Sequence, residues 1–312
     1  MSAPPRLVPV AEALRLLLGL LPPVAPRRLP LAQAIGRVLA APLRARGPVP
    51  PVAIALREGW AVAAALTEGA GPYAPVLLPG LAWIAAGAAL PPGTDAVLQP
   101  FARDGDLVLE PVGPGEGVRL AGETAQAGIE LRPAGTLLRP ADLLLADAGI
   151  EAASVRVPRI ALPGASALAA LAAAEGAEVA EADPDLVLAC GLTLDTVHCP
   201  ALGARPGEAT AIGTLGGRPA VRLGPLPEDL LAGWWLLGRP ALRALAGRTA
   251  PPPRRLTLGR KVASPIGFTG VVPLGPGGMP QDSALAPVEA LLIVPPGLEG
   301  YDAGTQIEAC DP

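Results

Sequence analysis

A chain of 312 residues exceeds the roughly 100 to 200 residues of one domain, so two or more packed units are expected. It is 51% hydrophobic and only 3% aromatic, with 38 Gly and 41 Pro, which fits small folded units joined by rigid turns and excludes a disordered chain poor in apolar surface. A net charge of −4, with Lys261 the single lysine, lacks the clustered cationic excess of a nucleic-acid binder, and no run of about 20 apolar residues free of breakers offers a membrane-spanning helix.

Residues 8–21 carry apolar side chains at helical spacing, with Glu12 and Arg15 on the other side, and Pro22 and Pro23 stop the helix. Arg15 also interrupts the apolar run that a signal peptide would need, so a cytoplasmic location is expected. A second short helix, LAQAIGRVLA, is predicted from Leu31. After Pro51 the pattern changes to short apolar runs separated by Gly, Pro and Asp, which suggests a compact all-β segment, and Asp104-Gly105 marks a hairpin within it. ADLLLADAGI, from Ala141, is helical in pattern.

From Arg159 the chain alternates: strand RIALPG, helix SALAALAAAEGAEV, strand DLVLACG, strand or turn AIGTLGGRPAVRLG, helix EDLLAGWWLLGRPALRALAG. Such alternation predicts an α/β unit with a mainly parallel sheet and ligand sites near the strand carboxyl ends. PPPRR at 251–255 is expected to be a stiff linker, and the last sixty residues a small β barrel. Cys190, Cys199 and Cys310 are odd in number and widely spaced, as reduced thiols are. A zinc site built from Cys190, His198 and Cys199 lacks a fourth ligand at normal spacing, and buried thiols beside a loop histidine are the simpler expectation.

Several phrases, in order along nearly the whole chain, resemble one family. PLAQAIGRVLAAPLRA followed by VPP, AAGAALPPGTDAVLQP, GPGEGVRLAGETAQAGIELRPAGTLLRPADLLLADAGI, GARPGEATAIGTLGGRPAVRLG and APVEALLIVPPGLEGYDAGTQIEA are similar to segments of the molybdopterin molybdenumtransferases, the MoeA-like (gephyrin E-domain) proteins. The resemblance implies an elongated multidomain subunit of α/β and all-β parts. Its expected units are an N-terminal helical domain (1–47 and 136–157), an inserted β domain (48–135), a MogA-like α/β domain with a mainly parallel sheet (158–249) and a C-terminal β-barrel domain (250–312). It further implies a homodimer acting on molybdopterin or its nucleotide form, with Mg²⁺, in molybdate insertion, alongside molybdoenzymes or other proteins of cofactor biosynthesis.

The family's chemistry-bearing phrases are the ones that differ here. In the loop PPFDNSAMDGYAV, Ala53, Ile54 and Ala55 stand where Asp, Asn and Ser belong, Glu58 replaces the second Asp, Gly59 is kept and Trp60 replaces Tyr. Alanine neither ligates a cation nor accepts a side-chain hydrogen bond. The TGAP element has become Ala86-Gly87-Ala88-Ala89, TGDE has become Pro163-Gly164-Ala165-Ser166, and the SGG-x-S-x-GD-x-D loop has contracted to Cys190-Gly191-Leu192-Thr193-Leu194-Asp195. In KPGKP, Arg205 stands for the first lysine and Glu208 for the second; GLPGNP is replaced by the stretch from Arg222 to Pro227.

By the resemblance, Glu58 and Asp195 are the candidate catalytic groups and Asp195 the candidate Mg²⁺ ligand. Arg205, Arg222, Gly87, Gly191 and Trp60 are the candidate cofactor contacts. For Glu58 a solvated loop charge and for Asp195 a turn or cap are the bland alternatives, and Trp60 is as well explained as a packing anchor. Three roles stay open: an insertion enzyme with altered chemistry, a non-catalytic binder of molybdopterin, or a structural assembly partner.

Overall fold

The computed structural model describes residues 6–282 and 287–311, so the outer tips of the expected N- and C-terminal domains and residues 283–286 lie outside the described residues. The chain divides into two compact units, one of Met1–Ala41, Ala134–Pro140 and Ala153–Pro312, the other of Pro42–Pro133 and Ala141–Ala152. The sheets are mixed and the helices few.

In the first unit, helix α1 (Val10–Gly19) begins after Pro9 and buries Ala13 and Leu17, one turn apart on one face. The helix predicted from Leu31 is a single turn, Leu31–Ala34. Gly36 takes a left-handed φ of 78°, and Val38–Leu39 becomes a strand whose Leu39 pairs with Val155. Burial of both residues against a neighbouring strand outweighs their helical spacing. Short strands thus make up much of the expected helical N-terminal part.

The expected α/β segment forms a six-stranded sheet. Its strands are β1 (Arg159–Ala161), β2 (Glu178–Val179), β3 (Leu186–Cys190), β4 (Thr196–Cys199), β5 (Ala211–Leu215) and β6 (Arg218–Leu223), in the order β2-β1-β3-β6-β5-β4. The first four are parallel; β5 returns from β6 through a hairpin at Gly216-Gly217, and β4 is antiparallel to β5. Helix α2 (Ala169–Ala174) links β1 to β2. Helices α3 (Pro227–Gly233) and α4 (Arg239–Ala246) follow β6, joined by a π-helical turn at Trp234–Gly238.

Side chains alternate between the two faces of the sheet. Ile160, Leu186, Leu188, Ile212 and Val221 face a core that also holds Leu17 of α1, Ala172 of α2, Ala232 of α3 and Leu242 of α4. Val187, Ala189, Ala211 and Ala220 point the other way, where Leu194 covers them and no helical residue joins their cluster.

After Pro253 the predicted linker gives way early: Arg254–Thr257 pairs antiparallel with Gln306–Ala309. Thr269–Gly275 pairs with Ala290–Val294 and, in parallel, with Ala204–Arg205. Leu258, Leu274, Leu292, Val294 and Ile307 form the core of this part.

The second unit consists of short strands and tight turns. Gly59–Val62 lies between Ala82–Ile84 and Ala96–Leu98. The hairpin predicted at Asp104-Gly105 is present, with Gly105 at φ 55° between Arg103–Asp104 and Leu107–Val108. ADLLLADAGI forms 3-10 turns over Pro140–Ala148, and Asp142 turns inward to meet Arg132 at 2.7 Å.

The main buried charge group of the first unit is at the end of α2. Glu175, its side chain 6% exposed, receives Arg239 (2.6 Å), Arg243 (3.0 Å) and Arg248. Burial pushes the Glu175 carboxyl up, but hydrogen bonds from Arg243 and Arg239 and the charge of Arg248 outweigh that and hold it below its ordinary 4.5. A carboxylate with a lowered folded-state pKa contributes stability that is complete above its ordinary value and is lost as pH falls through the folded value. Unfolding midpoints should therefore drop as pH falls below about 4.5, and Glu175→Gln should abolish that component of the pH dependence. The substitution should also cost about 3–5 kcal/mol at neutral pH, read by denaturant melts, because three guanidiniums lose their counter-charge.

Candidate functional site

Two of the residues singled out in the sequence come together in the first unit. Arg205 and Arg222 line one groove of about 790 Å³, with Glu208 and Asp229 on its wall. Arg205 sits at the end of the strand that runs parallel to Thr269–Gly275, which places its guanidinium over the Phe268 ring, 4.1 Å from the ring centre. Its NH2 donates to Glu208 at 2.9 Å. Asp229 accepts from the Gly207 amide at 2.8 Å. Arg222, on β6 and half-buried, makes no hydrogen bond or ion pair among the described residues. The groove therefore holds two cations and two anions, and one guanidinium is uncommitted.

Gly191 and Asp195 are close in sequence and far apart on the sheet. Cys190 pairs with Leu223 at the carboxyl end of β3, and exposed Gly191 follows it with a left-handed φ of 73°. Asp195 stands at the opposite end: its amide donates to Thr214, and its Oδ2 accepts from Gly216 in the β5-β6 hairpin at 2.7 Å. It acts there as a turn cap. Among the described residues no three His, Cys, Asp or Glu side chains gather as a metal site, and the three cysteines are free thiols. A lone carboxylate already bonded to a backbone amide does not fit magnesium, which takes carboxylates together with water and phosphate oxygens.

The remaining candidates lie in the second unit. Glu58 is exposed and has no hydrogen-bonding or ionic partner among the described residues. Arg57 beside it points back into the sheet, donating to the Val97 carbonyl at 2.9 Å and to Glu116 at 2.8 Å. The Glu116 carboxyl is held below its usual range by the Arg57 hydrogen bond and the Gly113 amide. Trp60 pairs with Trp83 edge to face, ring centres 5.1 Å apart, and carries the Arg103 guanidinium 4.3 Å from its ring centre. Gly87 occupies the turn after Ala82–Ile84, at φ 82°, with its amide bonded to the Ala55 carbonyl at 2.7 Å.

Three contributors were missed from the sequence: Phe268 under Arg205, Asp229 holding Gly207, and Arg103 over Trp60. All three act across long sequence separations, and no local spacing announces them.

Residues 8–149 match the family model described as MoeA N-terminal region (domain I and II). That stretch of the chain is similar to the MoeA N-terminal region. Over its whole length its fold is similar to that of solved molybdopterin biosynthesis MoeA proteins. One from Pyrococcus horikoshii OT3 is 22% identical at a TM-score of 0.78, covering 98% of this chain and 100% of that one. A second structure from the same species is 23% identical at 0.70, covering 98% and 99%. A molybdenum cofactor biosynthesis protein from Pyrococcus furiosus is 21% identical at 0.64, covering 98% and 100%.

Within the MoeA-like loop at residues 50–62, Gly59 has a backbone reason to be glycine: at φ 156°, a β-carbon would stand 2.2 Å from the Leu98 carbonyl oxygen. Gly59→Ala should destabilise the chain by about 1–3 kcal/mol in urea melts, while Glu58→Ala, on an exposed side chain, stays within about 0.5 kcal/mol of the parent.

Proposed function

We propose that this MoeA-like chain serves molybdenum cofactor biosynthesis by binding molybdopterin or its nucleotide form, with molybdate insertion reduced or lost. The observation that carries this reading is the charge balance of the Arg205–Arg222 groove. An anion-binding cleft needs cations in excess, and here Glu208 occupies Arg205 at 2.9 Å. One free guanidinium, Arg222, remains to meet a phosphate in the bidentate manner arginine favours. Asp195 is engaged by a hairpin amide at the far end of the sheet, and the groove's own carboxylates are committed, Glu208 to Arg205 and Asp229 to the Gly207 amide. In this role Arg222 and Arg205 hold the ligand's anionic end, and Glu58 and Asp195 do no chemistry. A homodimer in the cytoplasm, with the C-terminal strands closing as a barrel, completes the proposal.

The second reading, a structural partner in a molybdoenzyme system, draws support from the same Arg205–Glu208 pairing, which satisfies the groove without a ligand.

Incubation with adenylylated molybdopterin, molybdate and Mg²⁺ should release AMP no faster than the protein-free control; release at the rate of an intact homologue overturns the loss of catalysis. Calorimetry should show molybdopterin binding that Arg222→Ala weakens about tenfold, as expected for one charge-assisted contact. Glu208→Gln should strengthen it by freeing Arg205, while shifting unfolding stability by less than about 1 kcal/mol because the pair is exposed. Absence of binding in the parent leaves the structural role standing.

A further inference from the structure

The face of the six-stranded sheet opposite its helical core carries a second cleft, bounded at one end by Pro163 and Ser166 after β1 and by Ala169 of α2, that shares no residue with the Arg205–Arg222 groove. A crossover between parallel strands takes a dozen or more residues and is usually a helix that covers the sheet. Here β2 ends at Val179 and β3 starts at Leu186, so six residues, 180–185, make the connection. Pro184 bars a helix among them. The space a crossover helix would fill is instead a cleft of about 760 Å³, within the range of small-molecule pockets.

Its floor is Ala161, Val187 and Leu215, all on that face. Its wall is preformed. Arg159 donates from its side chain to Ala182 and from its amide to Asp185, both at 2.7 Å, which ties the crossover to β1. Asp183, the one described non-glycine residue with a positive φ (44°), aims its carboxylate at Arg218, 2.8 Å away on β6. That exposed pair joins the crossover to the start of β6. Glu181, also in the lining, has no hydrogen bond or ion pair among the described residues. An apolar floor, a wall that includes Ser166 and one unpaired carboxylate define the occupant.

We infer that this cleft binds a small, flat, mostly apolar molecule bearing one cationic amine, with the amine against Glu181 and the apolar body on Ala161, Val187 and Leu215. Cation and carboxylate match in sign, and the volume of this open cleft suits a small molecule better than a folded partner.

Tryptamine is the probe and indole-3-propionate, with the charge reversed on the same ring, its control. Calorimetry and protein NMR on the full chain should show saturable tryptamine binding and at least about tenfold weaker binding of the propionate, the difference one charge-assisted contact makes. Glu181→Gln, on an exposed side chain that cannot upset folding, should erase that preference. Ala161→Phe, which fills the floor, should abolish binding of both, with its fold checked by circular dichroism. Equal affinity for the two probes, no tryptamine binding at millimolar concentration, or binding indifferent to both substitutions overturns the inference. So does concentration-dependent self-association that Ala161→Phe abolishes and tryptamine leaves unchanged, because a second copy then covers the face.

Discussion

The packing of Leu194 on the helix-free face of the sheet decides much else in the first unit. A mainly parallel sheet ordinarily carries helices on both faces because its strands are apolar on both. Here α1 to α4 all serve one face, and the other must stay dry with little more than small side chains. Leu194 lies against Gly213, whose hypothetical β-carbon would sit 3.1 Å from the leucine side chain and 1.8 Å from the Thr196 carbonyl oxygen. Only glycine permits that approach. The five residues between β3 and β4 run along the sheet rather than gathering at its carboxyl end, and Asp195 arrives at the β5-β6 hairpin.

The charges show a related economy. Arg57 with Glu116, Arg103 with Asp106, Arg205 with Glu208 and Arg218 with Asp183 are self-contained pairs. Most are exposed, where such pairs contribute little to stability, so their main effect is to withdraw arginines from other duties. Glu175 is the reverse case: one buried carboxylate serves three guanidiniums and leaves a local surplus of positive charge. Burial depresses the Arg248 pKa, Glu175 counters this, and repulsion from Arg243 and Arg239 adds to the fall. The cluster tethers the end of α2 to α4 and the residues after it, and it sets the acid limit of this unit.

The order and type of the long elements in the first unit were legible because hydrophobic periodicity is local. The strand DLVLACG, the helix through Trp234 and the Asp104-Gly105 hairpin all form where their patterns stand. The helix predicted from Leu31 to Ala40 failed after one turn, since Gly36 and the pairing of Leu39 with Val155 depend on residues over a hundred positions away. PPPRR was misjudged at its end for the same reason: Arg254 and Arg255 join a strand whose partner is the last described stretch of the chain. At the site, residue type revealed which polar groups are missing from the family's phrases, but not where the survivors go. Arg205 and Arg222 share a groove although their strands belong to different sheets, and the sequence motif holds no trace of Phe268 or Asp229 beside them.

The loop at residues 50–62 is held in place by contacts within its own unit that need no ligand. Gly59 is fixed by the Leu98 carbonyl, and Arg57 is bonded to the Val97 carbonyl, so both bind the loop to its own sheet. Trp60 is placed by cross-strand pairing with Trp83 and by the Arg103 guanidinium on its ring, contacts that need no ligand. Ala53, Ile54 and Ala55 satisfy the same frame with backbone hydrogen bonds and apolar packing: Ala55 exchanges bonds with Gly87 and Ala88 and is buried. Removing polar side chains from such a loop costs the fold nothing, because its geometry rests on main-chain pairing. The loop's geometry therefore depends on its main-chain atoms more than on the side chains it presents.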